Sequence, residues 1–217
     1  MSHKLSYLLA MFLGTASWAE ESPVPSAAAF GGVVAPAVLP PGSSSVYGFV
    51  GAQEVGGGFR QGLGGVELEV RAAFNYLLLS LGGDVVLKFP PTRVGQVDLA
   101  PYGGLGLSWD SGSRYFDRVN FSYLALRPRV GGVAVMELAE TVRGLAVVDV
   151  PWSIAIRPWG GHHFSPLAGG GAEFHLGKDM SALILGMLGP DVLKEPLGVT
   201  QVRLGYQLKL ALGFRLF

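Results

Sequence analysis

The 217-residue chain contains no cysteine, so neither disulfides nor thiolate metal sites can contribute to it. Charge is scarce and unbiased: 15% of residues are Asp, Glu, Lys or Arg, with 16 basic against 16 acidic. Without a basic excess there is no field to gather a polyanion, and nucleic acid is excluded as an expected partner. Beyond the first twenty residues the chain also lacks any uninterrupted apolar run of the roughly 20 residues that a membrane-crossing helix needs. Its longest uncharged region, residues 22–53, is broken by Pro23, Pro25, Pro36, Pro40 and Pro41.

What is abundant is glycine, 33 residues of it, and apolar side chains, which raise the mean hydropathy to +0.40. That much apolar surface must face something other than water. The length suits one domain, since single β-barrels commonly run to roughly 200–250 residues. The N-terminus has the three parts of a secretory signal: a basic start at His3 and Lys4, an apolar stretch over residues 5–16, and Ser17-Trp18-Ala19 as a small-residue cleavage site. Cleavage after Ala19 is expected, with residues 1–19 removed on export through the general secretory pathway. The apolar stretch is too short to span a bilayer, and no cysteine follows to carry a lipid anchor.

In the rest of the chain, charges recur every few residues with a period of two. Val66, Leu68, Val70, Ala72 and Phe74 alternate with Glu67, Glu69, Arg71, Ala73 and Asn75, as on the two faces of a strand. The pattern returns over residues 77–89, 97–109, 121–137, 142–157 and 167–176. Residues 180–188 are apolar on both faces. It is clearest at the end, where Val202, Leu204, Tyr206, Leu208, Leu210, Leu212, Phe214 and Leu216 oppose Gln201, Arg203, Gln207, Lys209 and Arg215. These strands match the roughly 9–11 tilted residues that cross an outer membrane. Short turns at 139–141 and 177–179 alternate with longer connections at 110–120, 158–165 and 189–197, as in an up-and-down barrel.

The expected fold is therefore all-β: an antiparallel transmembrane barrel of eight strands over residues 63–217, preceded by an N-terminal segment, 20–62. Two weaker strand candidates in that segment, 27–39 and 46–55, would raise the count to ten. Aromatic residues such as Phe74, Phe89, Trp109, Trp159 and Phe214 fall near strand ends, as in the interfacial girdles of membrane barrels.

With its leader, its Gly- and aromatic-rich alternating strands and the terminal Gly213-Phe214-Arg215-Leu216-Phe217, the mature chain resembles the small outer-membrane β-barrel proteins of Gram-negative bacteria, OmpA/OmpX-like or porin-like. The resemblance is architectural. It implies outer-membrane lipid as surroundings and the barrel-insertion machinery as a partner, engaged through the C-terminal strand ending at Phe217. In those proteins apolar residues usually precede the terminal Phe at alternate positions. Here Arg215, Gly213, Ala211 and Lys209 hold those positions, a phase that a β-bulge near Gly213 would restore.

If the apolar face meets lipid, the other face lines the lumen. It carries Glu67, Glu69, Asp84, Asp98, Glu137, Asp149 and Glu173 against Arg71, Lys88, Arg127, Arg129, Arg143, Arg157, Arg203 and Lys209. Unpaired charges in a narrow barrel would be strongly unfavourable, so an ion-pair network closing the lumen is expected. Ten strands with inward glycines such as Gly104, Gly106, Gly169 and Gly171 would leave room for a small solute or ion path.

Two constellations suggest chemistry. His163-Phe164-Ser165 with Glu173 resembles the His-x-Ser arrangement plus acid of outer-membrane lipid A deacylases, which implies Ser165 as nucleophile, His163 as base and Glu173 as its orienter. His162, His163, Glu173 and His175 could alternatively hold a divalent metal. Neither outweighs a non-enzymatic barrel without cofactor or metal, acting in envelope structure or surface interaction through its longer loops. A soluble secreted barrel with an apolar interior is the remaining class.

Overall fold

The computed structural model describes residue 34 and residues 37–111, 122–195 and 200–216; residues 1–19 and Phe217 lie outside the described residues. Among them there are twelve strands and no helix: β1 (Ser44–Gly51), β2 (Glu54–Gly62), β3 (Glu67–Asn75), β4 (Ser80–Lys88), β5 (Thr92–Val94), β6 (Val97–Asp110), β7 (Tyr123–Ala139), β8 (Val142–Arg157), β9 (His162–Phe164), β10 (Leu167–His175), β11 (Met180–Lys194) and β12 (Thr200–Arg215). Ten of these close into an antiparallel ring, β1-β2-β3-β4-β6-β7-β8-β10-β11-β12, sealed where β12 pairs with β1. Strands β5 and β9 stand outside the ring as short rim pieces, β5 on β6 and β9 between β8 and β11.

The larger of the two expected strand counts is thus the one that forms, and the ring starts at Ser44 instead of residue 63. The candidate at 46–55 is a hairpin, not one strand, because it turns at Ala52 and Gln53. Of the candidate at 27–39, residues 34 and 37–39 are not in a strand, and the rest lie outside the described residues. Residues 77–79, expected to open β4, belong to the preceding turn: Asn75 Oδ1 accepts the backbone N–H groups of Leu77 and Leu78 at 3.1 and 2.9 Å.

Strand β1 begins and β12 ends at one rim; the turns at 63–66, 140–141 and 176–179 share it, and it is called the terminal rim below. The turn at 63–66 depends on Gly64 and Gly65 at φ 79° and 113°, where a side chain would be strained. The opposite, loop rim carries the connections at 111–122, 158–161 and 195–199. Strand β11 continues to Lys194 through Gly189 and Pro190, so the long connection expected at 189–197 is only 195–199. The β1–β12 ladder runs without a shift from Ser45↔Arg215 through Tyr47↔Gly213, so there is no bulge at Gly213.

The barrel is turned inside out relative to a water-soluble one. Its outward rows keep Leu105, Leu107, Leu188, Leu204 and Leu208 more than half exposed. Apart from Arg157 and Lys194 at strand ends on the loop rim, the outward rows of the ring carry no Asp, Glu, Lys or Arg. Outward aromatics gather at the two rims: Phe59, Phe89, Phe174 and Phe214 at the terminal rim, and Phe74, Trp109, Trp159 and the Trp152–Phe164 edge-to-face pair at the loop rim. Buried residues point inward, and they include Arg60 and Glu67, exposed by only 1% and 0%.

Candidate functional site

Every strand of the ring sends alternate side chains inward, so the lumen is where the polar half of each period-two pattern converges. Nearest the terminal rim, Arg60 on β2 meets Glu67 on β3 through two parallel hydrogen bonds, Nε to Oε1 at 2.7 Å and Nη2 to Oε2 at 2.8 Å. Lys88 on β4 bridges Glu67 at 2.8 Å and Glu69 at 2.7 Å, and the Tyr47 hydroxyl donates to Glu69. Such a fully paired fork is the arrangement in which buried charge is tolerated.

A second layer lies toward the middle. Arg71 donates to Asp84 at 2.6 Å, and Arg129 grips Asp149 through Nε and Nη2, both at 2.5 Å. Arg129 also reaches Asp84 at 3.4 Å, and Arg127 lies 3.7 Å from the same carboxylate. The Tyr102 hydroxyl donates to Asp149 at 2.9 Å while its ring lies under the Arg129 guanidinium, 6.0 Å from centroid to Cζ. Lys209 and Gln207 both hold Glu54, at 3.0 and 2.6 Å. Toward the loop rim, Asp191 contacts the His163 ring and accepts from Arg203 Nε at 2.7 Å.

Of the residues expected to line the lumen, Glu67, Glu69, Arg71, Asp84, Lys88, Arg127, Arg129, Asp149, Arg203 and Lys209 are brought into these groups. Glu173 is inward and fully buried, but it accepts hydrogen bonds from Ser181 Oγ at 2.7 Å and from the Val34 N–H at 3.0 Å. Asp98 sits at the exposed terminal rim, 3.9 Å from Arg93, because β6 begins beside it. Glu137 and Arg143 pair with one another at 3.5 Å on that rim. Arg157 ends β8 at the loop rim beyond a register shift that sets it opposite Leu124, whose side chain faces out.

Sequence reasoning missed Glu54, Arg60, Tyr47, Tyr102 and Asp191. Glu54 and Arg60 do keep period two, but Gly56 and Gly58 between them erase the contrast that would reveal it. Those glycines have a use: a Cβ on Gly58 would come within 2.8 Å of the Tyr47 ring, and one on Gly56 within 2.7 Å of Phe49. Inward glycine here is a seat for a bulky neighbour, not spare room.

Two hollows remain. A vestibule of about 290 Å³ opens at the loop rim, with His163, Asp191, Arg203 and Arg127 among its walls. A smaller one of about 80 Å³ lies beneath, against Val34, Leu183, Leu185 and Met187. Both are bounded by Arg71, Arg129, Asp149 and Gln207, so only side chains stand between them.

The residues considered for chemistry are not assembled. His163 lies opposite Leu193 of β11 and Glu173 opposite Leu183, ten residues further along that strand, or roughly 33 Å. That separation or a longer one parts His162 and His163 from Glu173 and His175, and no metal-binding cluster occurs among the described residues. Compared with known proteins, the chain matches no family model and no curated sequence, so these roles rest on geometry alone.

Proposed function

We propose that this chain is an integral outer-membrane β-barrel protein, exported with its leader removed, whose lumen is filled by paired charges and which serves envelope structure or surface interaction through its loop rim. The observation that carries this reading is the outward surface. Ten strands present Leu, Val, Ile and aromatic side chains to the surroundings with no charge between the rims, while guanidinium, ammonium and carboxylate groups are buried within. In water that arrangement would leave a far larger apolar patch than the few hundred Å² usual on soluble monomers. In a bilayer it is the low-energy one, because a closed ring leaves no unpaired backbone edge and aromatic side chains favour the two interfaces.

The expressed full chain should pellet with membranes, resist carbonate and urea washing, and need detergent for release. It should then migrate differently on gels before and after boiling, as a closed barrel does. A product that stays in solution without detergent sinks the reading. A substitution sharpens it: Leu210→Arg, near the centre of the outward row of β12, should cost about 2–4 kcal/mol if that row faces hydrocarbon and close to nothing if it faces water. The non-enzymatic part of the proposal is supported by the separation of His163 from Glu173.

A further inference from the structure

Val34 and residues 37–39, which precede β1, lie inside the ring. Val34 and Leu39 are buried, at 6% and 3% exposure, although neither belongs to a strand. Val34 packs in the interior apolar cluster with Phe49, Leu183 and Leu185, and its N–H donates to Glu173 on β10. The Leu39 N–H donates to Glu67 Oε2 on β3 at 2.6 Å, and the carbonyl of Ala37 accepts from Arg60 on β2.

The placement of these two carboxylates is decisive. On a ring of ten strands, β10 and β3 are five steps apart in either direction, which is diametrically opposite. The backbone N–H groups of Val34 and Leu39 are therefore tied to opposite walls of the lumen. Inside a barrel, a segment without a ladder must find another partner for each polar backbone group. Glu173, Glu67 and Arg60 supply three such partners, while Pro40 and Pro41 have no N–H to satisfy. At the exit, the Gly42 N–H donates to the Gly62 carbonyl at 3.1 Å and the Ser43 N–H to that of Pro40 at 3.1 Å, which fixes the bend into β1.

From this we infer that Val34 and residues 37–41 act as a plug that closes a transmembrane path, and that the protein conducts ions and small hydrophilic solutes when the plug leaves its seat. The inference rests on the membrane reading above. Beyond the plug, the path runs through the 80 Å³ hollow and past Arg71, Arg129, Asp149 and Gln207 to the vestibule. Those four are side chains that can shift; the plug is backbone anchored at both walls. Its seat combines apolar burial with hydrogen bonds to two carboxylates, so weakening either should favour release.

The test uses the full-length mature chain in planar bilayers. Wild type should insert and stay almost silent. Deletion of residues 34–41 should give steady stepwise conductance. Because that deletion leaves Glu67 and Glu173 without two of their partners, a second variant retains the chain length: Val34→Gly with Leu39→Gly removes only the two buried side chains. It should raise the open fraction by roughly a hundredfold, as expected from losing that much buried apolar surface. Folding of each variant is verified by its heat-modifiable gel mobility. Insertion with folded variants as silent as wild type overturns the plug alone, as does a wild type that conducts as freely as they do. Failure of wild type to insert overturns the membrane reading and the plug with it.

Discussion

The two walls of the lumen are built on opposite principles. On β2, β3 and β4 the inward row is ionic: Arg60, Glu67, Glu69, Arg71, Asp84 and Lys88. On β8, β10 and β11 it is largely apolar, with Leu145, Val147, Leu167, Leu183, Leu185 and Met187. If the interior held only water or only ion pairs, both walls would be polar. The apolar wall exists because part of the interior is occupied by the chain itself, with Val34 against Leu183 and Leu185 and Phe49 in the same cluster. The ionic wall then faces its own partners across neighbouring strands, and Val34 and Leu39 are tied to Glu173 on the one wall and Glu67 on the other.

The largest effect is expected where the ionic wall is broken by one partner. Arg60→Met keeps most of the volume but leaves Glu67 with a single cation, Lys88, beside the Leu39 N–H, and withdraws the donor from the Ala37 carbonyl. Removing one member of a buried pair typically costs about 3–5 kcal/mol. Reversible urea unfolding of the barrel in detergent or lipid reads this out. A loss below about 1 kcal/mol would mean that the fork is not the anchor of this wall.

On the apolar wall the expected loss is smaller. Leu183 is 4% exposed and borders the 80 Å³ hollow, so Leu183→Ala enlarges a void already present and should cost about 2–3 kcal/mol in the same unfolding measurement. The contrast with Arg60→Met lies in repair: adding Glu67→Gln, which removes the stranded charge, should recover part of the Arg60→Met loss and none of the Leu183→Ala loss. If it recovers both alike, the two walls do not differ in kind.

Between the walls stand the inward glycines. Gly58→Ala places a methyl group 2.8 Å from the Tyr47 ring, whose hydroxyl is held by Glu69 and so cannot swing away freely. Overpacking of this kind costs about 1–3 kcal/mol. Combining it with Tyr47→Phe, which frees the ring from Glu69, should recover part of the loss. No recovery would place the clash on the backbone instead.

The same two walls explain what could be read from the residues alone. Strands β3 and β12 show their alternation because charge on one face contrasts with Leu, Val or Phe on the other, and their limits and inward residues follow from that contrast. Strand β11 hides it, since its inward row, Leu183, Leu185 and Met187, is as apolar as its outward row. That doubly apolar stretch was itself the trace of a filled lumen. The β1–β2 hairpin is diluted by glycine, and Gly189-Pro190 reads as a loop although Asp191, turned inward onto His163 and Arg203, keeps β11 in register with β12. The seats of Val34 and Leu39 could not be read at all, because Glu173 and Glu67 lie 106 residues apart and come to face these two residues only after the ring closes. Asp98, Glu137, Arg143 and Arg157 obey the alternation, but they fall at strand ends, where the two faces no longer separate lumen from surroundings.

The smallest effect should come from such an end. Arg93 and Asp98 are 65% and 49% exposed and approach only to 3.9 Å across the β5–β6 hairpin. Two solvated side chains in that geometry gain little attraction and lose rotamer freedom when held together, so the pair is worth about 0.2–1 kcal/mol. Asp98 has the same charge as Glu67 and the same place in the period-two pattern, yet it lacks the fork, the burial and the second cation. A double-mutant cycle over Arg93→Ala and Asp98→Ala should therefore give a coupling several times below the loss in Arg60→Met, and one that vanishes in high salt. A coupling of comparable size would show that ionic strength along this wall comes from sequence spacing and not from enclosure by the ring.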